Sequence, residues 1–225
     1  MDQAKKNLIA AEAKALALFQ EIEKQGLIRA GITEEDLNKE VFELAFSLFG
    51  IEKYWHKRII RAGKNTLLPY NENPPNLLIQ ENDMLFFDFG PIFDEWEADF
   101  GRTYVLGADA EKLKLQADLY PVWEECKAFF DSKTSLTGAE YYKEIVHIAE
   151  RYGWLFGSEI GGHIIGKFPH ERLEKEVKDH YIHRDNHTDL FAPDQTGKPR
   201  NWILEIHLIN PKREFGGFFE QLLTV

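Results

Sequence analysis

Asp88 and Asp99 stand eleven positions apart, within Phe87-Asp88-Phe89-Gly90 and Ala98-Asp99-Phe100-Gly101-Arg102-Thr103. A hairpin turning near Phe93 to Glu95 sets the two carboxylates opposite each other, close enough to share a divalent cation and mutually repelling without one. Taken alone, such a pair also fits turn or surface positions. Two glutamates sharpen the question. Glu205 in Trp202-Ile203-Leu204-Glu205 and Glu220 in Phe218-Phe219-Glu220 interrupt strongly apolar runs, where an ionised carboxylate is costly unless something compensates it. A histidine lies in Gly161-Gly162-His163-Ile164-Ile165-Gly166, and His170 follows seven positions later.

The elements that must position these residues alternate between helical and extended patterns. Ala11 to Lys24 carries Leu16, Phe19 and Ile22 at helical spacing. Thr33, with Asp36 three positions on, reads as the N-cap of a helix whose stripe is Leu37, Val41, Leu44, Ala45 and Leu48 and whose stop is Gly50. Strands are expected around Ile59 and Ile60, at Met84 to Phe89, Trp154 to Ile165, Trp202 to Ile209 and Phe215 to Val225. Ala110 to Asp131 is helical in composition, but Pro121 predicts that a helix starts there or that two pieces meet there. Thr137 opens a further helix through Glu150. Shifting the chain by 104 positions superposes Thr33, Lys39, Glu40, Val41, Leu44 and Ala45 on Thr137, Lys143, Glu144, Ile145, Ile148 and Ala149, which points to two related halves meeting at a cleft.

Composition narrows the function classes. The 225 residues include 38 acids against 27 Lys and Arg, a net charge of -11, which leaves no electropositive surplus for a phosphate backbone and argues against nucleic acid as a partner. With 44% apolar and 13% aromatic residues there is material for a large core. Cys126, the single cysteine, permits neither an internal disulfide nor a thiolate zinc site, so a reducing, cytoplasmic compartment is expected. The lack of a long apolar run or an apolar N-terminal segment argues against a membrane span and a signal peptide.

The ordered set Asp88, Asp99, His163, Glu205 and Glu220 resembles that of the metallopeptidase family with the pita-bread fold, which includes methionine aminopeptidase, proline-directed aminopeptidases, prolidase and creatinase. The resemblance runs from about Ala11 to the end of the chain, without the extra N-terminal domain of the creatinase and prolidase branches. It implies one catalytic domain over residues 1 to 225, an N-terminal helical segment (1 to 28) included. Its fold would be α/β (α+β): two pseudo-symmetric halves, a curved antiparallel sheet and helices on the outer face. It also implies two divalent ions (manganese, cobalt, iron or zinc) held by those five residues; four carboxylates balance two such cations. Paired cations roughly 3.5 to 4 Å apart can share a hydroxide and polarise a scissile carbonyl. The implied reaction is aminopeptidase-like or dipeptidase-like cleavage, with Glu205 also shuttling a proton and His170 stabilising the tetrahedral intermediate. The implied partner is a small peptide or small-molecule substrate, and a homodimer stays open.

The chain departs from the family pattern around the substrate. Family peptidases carry a further His upstream of the first metal Asp, in the stretch that here reads Leu68-Pro69-Tyr70-Asn71. Tyr70 can supply a donor in its place, and His56 is a second candidate for that substrate contact. Proline-directed members have His where this chain has Glu159, and Arg where it has Phe218; Pro usually follows the glutamate that corresponds to Glu205, and here it is Ile206. His207, two positions after Glu205 on a strand, shares its face and is expected in the cleft as an active-site residue or as a hydrogen-bonded core histidine. Two other readings therefore stand beside the peptidase: hydrolysis of a different carbon-nitrogen bond, as in creatinase, and a binding or scaffold protein that kept the fold. His180, His183 and His187 read as a solvated polar connection rather than a zinc site. Asp88-Phe89-Gly90 and His183-Arg184-Asp185 imitate kinase signatures in the wrong order and without a Gly-rich loop.

Overall fold

A computed structural model describes residues 2–170 and 178–224. Local capping chemistry starts each helix. Asp2 accepts from the Lys5 amide and opens α1 (Gln3–Lys24), which begins well before Ala11 and buries Leu8, Ala11, Ala15, Leu18, Phe19 and Ile22 along one stripe. Thr33 caps α2 (Glu34–Phe49), and Gly50 ends it in the left-handed region at φ 66°, which a residue without a Cβ adopts without strain. Thr137 and Glu140 form a reciprocal capping box at the start of α4 (Gly138–Arg151). The expectation of a break at Pro121 is overturned: α3 (Ala110–Asp131) runs through it. Pro121 removes one amide donor, but Leu115, Leu119, Val122, Trp123, Cys126 and Phe130 are buried on both sides of it, and that continuous apolar face holds the helix together.

The strands are β1 (Ile59–Ala62), β2 (Met84–Phe89), β3 (Ile92–Phe93), β4 (Trp96–Glu97), β5 (Phe100–Val105), β6 (Leu155–Phe156), β7 (Ile160–Ile165), β8 (Tyr181–His183), β9 (Asn201–Asn210) and β10 (Phe215–Leu222). All pairings are antiparallel, and the main sheet runs β1-β2-β5-β10-β9-β7-β8, with β6 on β9 and β3-β4 forming a separate hairpin. Without β8 this order is a palindrome: two helices precede β1, β2 and β5, and two helices precede β7, β9 and β10. The N-cap threonines repeat the relation, Thr33 bridging to Leu78 and Thr137 to Asp189. The offset of 104 therefore coincides with a pseudo-two-fold in the order of the elements.

Side-chain alternation divides the sheet into an outer and an inner face. Leu85, Phe87, Phe89 and Phe100 pack with Phe19, Leu37 and Val41 under α1 and α2; Trp202, Leu204, Ile206 and Phe219 pack with Trp123, Tyr141 and Ile145 under α3 and α4. The intervening positions, including Asp88, Glu205, His207 and Glu220, are thereby turned away from the helices. Among the described residues no helix is long and apolar enough to cross a membrane.

Glu34, at the first position of α2, ties the first half together. It is buried and accepts from the amides of Ala62 (2.6 Å) and Leu77 (3.1 Å) and from Asn65 Nδ2. Burial pushes its carboxyl upward, opposed by those donors. Glu34→Ala strands two amides, each costing about 1–3 kcal/mol when buried without a partner. We expect a loss of about 2–4 kcal/mol, read as a lower urea midpoint at unchanged slope, and a smaller loss for Glu34→Gln; an alanine variant as stable as the parent would contradict this role.

Candidate metal centre

A single row across the inner face sets the site. Asp88 on β2 pairs with Gly101 on β5, Gly101 with Glu220 on β10, and Glu220 with Glu205 on β9. Gly101 keeps the middle of the row open: a Cβ there would lie 2.5 Å from the Phe218 ring and 3.0 Å from the Glu220 Cβ. The chain turns at Asp94 and Glu95, as the spacing predicts, both with positive φ. Asp88 does not face Asp99 directly, however. The β2-β5 ladder closes at Phe89 and Phe100, so Asp99 lies just beyond its last pair and enters the site from the end of β5. His163 arrives on β7 through an irregular register between Ile160 and His163. Gly162, at φ 144°, allows this approach, since a Cβ would sit 2.0 Å from the Ile203 carbonyl oxygen.

These groups converge. His163 Nε2 lies 3.0 Å from Asp99 Oδ2, 3.6 Å from Glu205 Oε1 and 3.9 Å from Glu220 Oε1. His56, just before β1, places Nε2 3.0 Å from Asp99 Oδ1 and 3.6 Å from Asp88 Oδ1. Its ring is thus directed at the carboxylates and buried. Two triads can each gather around one ion: His56, Asp88 and Asp99, and Asp99, His163 and Glu220. His180, His183 and His187 form no such group among the described residues; His183 Nδ1 instead accepts from the Asp185 amide.

Electrostatics follow from packing acids where water is excluded. Burial, with repulsion from the neighbouring carboxylates, pushes Asp88, Glu205 and Glu220 upward. Burial also raises Asp99, but the two imidazoles outweigh it and hold that carboxyl low. Burial pulls the histidines down, yet Asp99 with Asp88 carries His56 up to about 9, and Asp99 with Glu205 does the same for His163. Glu220 Oε2 is buried with no hydrogen-bond partner among the described residues. An orphaned carboxylate oxygen inside a ring of oxygen and imidazole donors is what a divalent cation satisfies, so the donor set fits such ions.

The site opens into a cleft of about 290 Å³ lined by Asp88, Glu205, His207, Phe86 and Phe218, with Tyr70 and Glu159 towards solvent. His207 does share the inner face with Glu205. Its Nε2–H donates to the Thr66 carbonyl at 2.8 Å, and burial lowers it to about 4, so it is a neutral imidazole. Tyr70 rides on a loop held by Arg61, whose guanidinium donates to the carbonyls of Leu68, Pro69 and Glu72. His170 lies outside the lining of this cleft; Glu97 fixes it, accepting from Nδ1 at 2.7 Å and from the backbone amide at 3.2 Å. Residue-by-residue reading missed Glu97 and Trp55. Trp55 packs edge-on against His56, His163 and His170 and donates from Nε1 to the Ala98 carbonyl. The one signal for Glu97 is its place two residues before Asp99, in a segment otherwise rich in aromatic residues.

Comparison with known proteins defines the family and the fold. Residues 6–198 match the model of metallopeptidase family M24. The chain belongs to that family. Among curated proteins it is similar to the Xaa-Pro dipeptidase of Lactobacillus helveticus, at 30% identity over 149 residues covering 64% of this chain and 39% of that protein. It is also similar to the Xaa-Pro dipeptidase of Pyrococcus horikoshii, at 29% over 169 residues covering 72% and 47%. Among solved structures it matches an X-Pro aminopeptidase from Thermotoga maritima with a TM-score of 0.74 at 20% identity, over 100% of this chain and 62% of that one. A Xaa-Pro dipeptidase from Bacillus anthracis gives 0.73 at 21% identity, over 100% and 61%. The fold is thus the pita-bread fold of these enzymes, and the match spans less than half the length of each of the two curated relatives named.

A cation bound at this site would displace protons, because Glu205, pushed up to about 8 by burial, and His56 and His163, carried up to about 9 by the neighbouring carboxylates, hold protons at neutral pH that a cation replaces. We expect addition of manganese(II) or zinc(II) to metal-free protein at pH 7 to release more than one proton per chain. We also expect affinity to fall as pH falls. Calorimetry in buffers of different ionisation enthalpy measures the release; heats independent of buffer would contradict the assignment.

Proposed function

We propose that the chain is a single catalytic domain that cleaves a short peptide in the manner of an aminopeptidase or dipeptidase, with Asp88, Asp99, His163, Glu205 and Glu220 holding two divalent ions. The observation that carries the reading is the convergence of four buried carboxylates, with Glu220 Oε2 making no hydrogen bond among the described residues, a costly arrangement for a protein that only binds or scaffolds. Bound ions supply Lewis-acid polarisation and acidify water; manganese, cobalt, iron and zinc all suit the donor set. Glu205, facing the cleft, takes the proton of the attacking water and passes it to the leaving nitrogen. His170, oriented by Glu97, stabilises charge developing on the carbonyl oxygen. Neutral His207 borders the reacting bond beside Glu205. Tyr70 and Glu159 contact the substrate at the cleft mouth.

A second reading, cleavage of another carbon-nitrogen bond, is favoured by the cleft wall. Phe218 packs 5.4 Å from Phe86 and 6.2 Å from His207, centroid to centroid, an apolar surface where proline-directed relatives place an arginine. Phe218 itself offers no cation to a substrate carboxylate, and the cations that line the cleft among the described residues are Arg61 and Lys178.

Screening the manganese-loaded protein against dipeptides, including Xaa-Pro pairs, peptide amides and non-peptide amides separates the two readings. We expect peptide turnover that is lost on chelation; turnover of non-peptide amides alone would replace the first reading with the second. Asp99→Ala and Glu220→Ala are expected to lose bound metal and the metal-dependent rise in melting temperature, a linkage worth about 2.7 kcal/mol at a hundredfold excess over Kd. Wild-type stoichiometry in both variants would refute the ligand set. His207→Ala should keep its metal while kcat falls by roughly 10²-fold, the scale of a misplaced substrate; full turnover would leave His207 only its hydrogen bond to Thr66.

A further inference from the structure

His56 and His163 approach Asp99 in the same way from opposite halves of the molecule. His163 stands on β7 and His56 leads into β1, and these strands hold equivalent places in the palindromic sheet. Each imidazole ties Nδ1 to the carbonyl of the residue that follows it, His56 to Lys57 at 2.7 Å and His163 to Ile164 at 2.8 Å. A carbonyl only accepts, so in both rings Nδ1 carries a proton and Nε2 is the atom left to ligate. Each Nε2 then lies 3.0 Å from Asp99, His56 at Oδ1 and His163 at Oδ2. The position of His56 is built rather than incidental. Trp55 donates from its backbone amide to the Gly90 carbonyl and from Nε1 to the Ala98 carbonyl. Gly90 provides the space: a Cβ there would meet His56 Cδ2 at 2.2 Å and Nε2 at 2.4 Å.

We propose that His56 is a sixth protein ligand of the metal centre, completing with Asp88 and Asp99 Oδ1 the shell of one ion while His163 serves the other. The proposal rests on the two-ion reading and deepens it. Asp99 offers one oxygen to each ion, and each ion takes one imidazole. The ion beside Asp88, which would otherwise meet only carboxylate oxygens, gains a nitrogen, and a nitrogen-containing shell shifts that position towards zinc, cobalt or iron and away from manganese. His56 thus faces the ions, and the contact to substrate falls to Tyr70 at the cleft mouth.

The test is zinc binding, independent of turnover. Metal-free protein is titrated with zinc(II) by calorimetry, and crystals of the wild-type protein are soaked in zinc(II). We expect two ions in the wild type, with His56 Nε2 about 2.0–2.1 Å from one of them. In His56→Ala one of the two affinities should fall at least about tenfold while the other is unchanged, the smaller end of what loss of a supporting contact already costs. Melting of metal-free His56→Ala checks that the variant folds, and the wild-type crystal answers without any variant. Two bound ions with His56 Nε2 bonded to neither, or a His56→Ala protein binding both with parental affinity, overturns the assignment and leaves the five-donor centre standing. Absence of bound zinc in the wild type overturns both.

Discussion

Four carboxylates buried together on the inner face of an apolar sheet are the constraint around which this molecule is arranged. Asp88, Asp99, Glu205 and Glu220 are each less than a tenth exposed and lie close enough to repel one another. Without cations the cluster is relieved only partly, by protonation and by the two imidazoles. Under the proposed two-ion reading, the same unfavourable packing favours binding of divalent ions.

The two-fold organisation explains how a chain of this length assembles such a cluster. Each half contributes a capped helix pair, three strands and a histidine, and the seam between β5 and β10 brings the halves edge to edge. Thr103 clasps that seam, its hydroxyl exchanging hydrogen bonds with the backbone of Phe218. Gly101, two residues before it, leaves the space that the Phe218 ring and the Glu220 Cβ occupy. Neither half contains a complete site: Asp88, Asp99 and His56 come from the first, His163, Glu205 and Glu220 from the second.

Around this centre lies a layer of residues that orient rather than react. Glu97 fixes His170, Arg61 holds the loop that carries Tyr70, and Trp55 forms a common wall for three imidazoles. Arg102 lies between the rings of Phe100 and Phe219 and donates to the Glu220 carbonyl, so the strand bearing the last acid is anchored by a half-buried cation. Precise placement of a few polar groups depends on such locked neighbours, since each would otherwise have several rotamers open to it.

Capping, periodicity and the cost of burying acids are local rules, and they were legible in the linear chain. Thr33 and Thr137 announced their helices, the apolar runs around Glu205 and Glu220 announced strands that need a compensating charge, and the offset between the halves was visible as a repeat. Tertiary packing decided the rest. Pro121 predicts a helix start or a junction because a missing amide is a local loss, whereas the buried face that carries α3 through it is made by the sheet. The exact partner of Asp88 depends on strand register, and the direction of His56 and the hold of Glu97 on His170 depend on contacts between residues some 40 to 75 positions apart. Spacing along a chain determines which side chains share a face; only the closed sheet determines which of them meet.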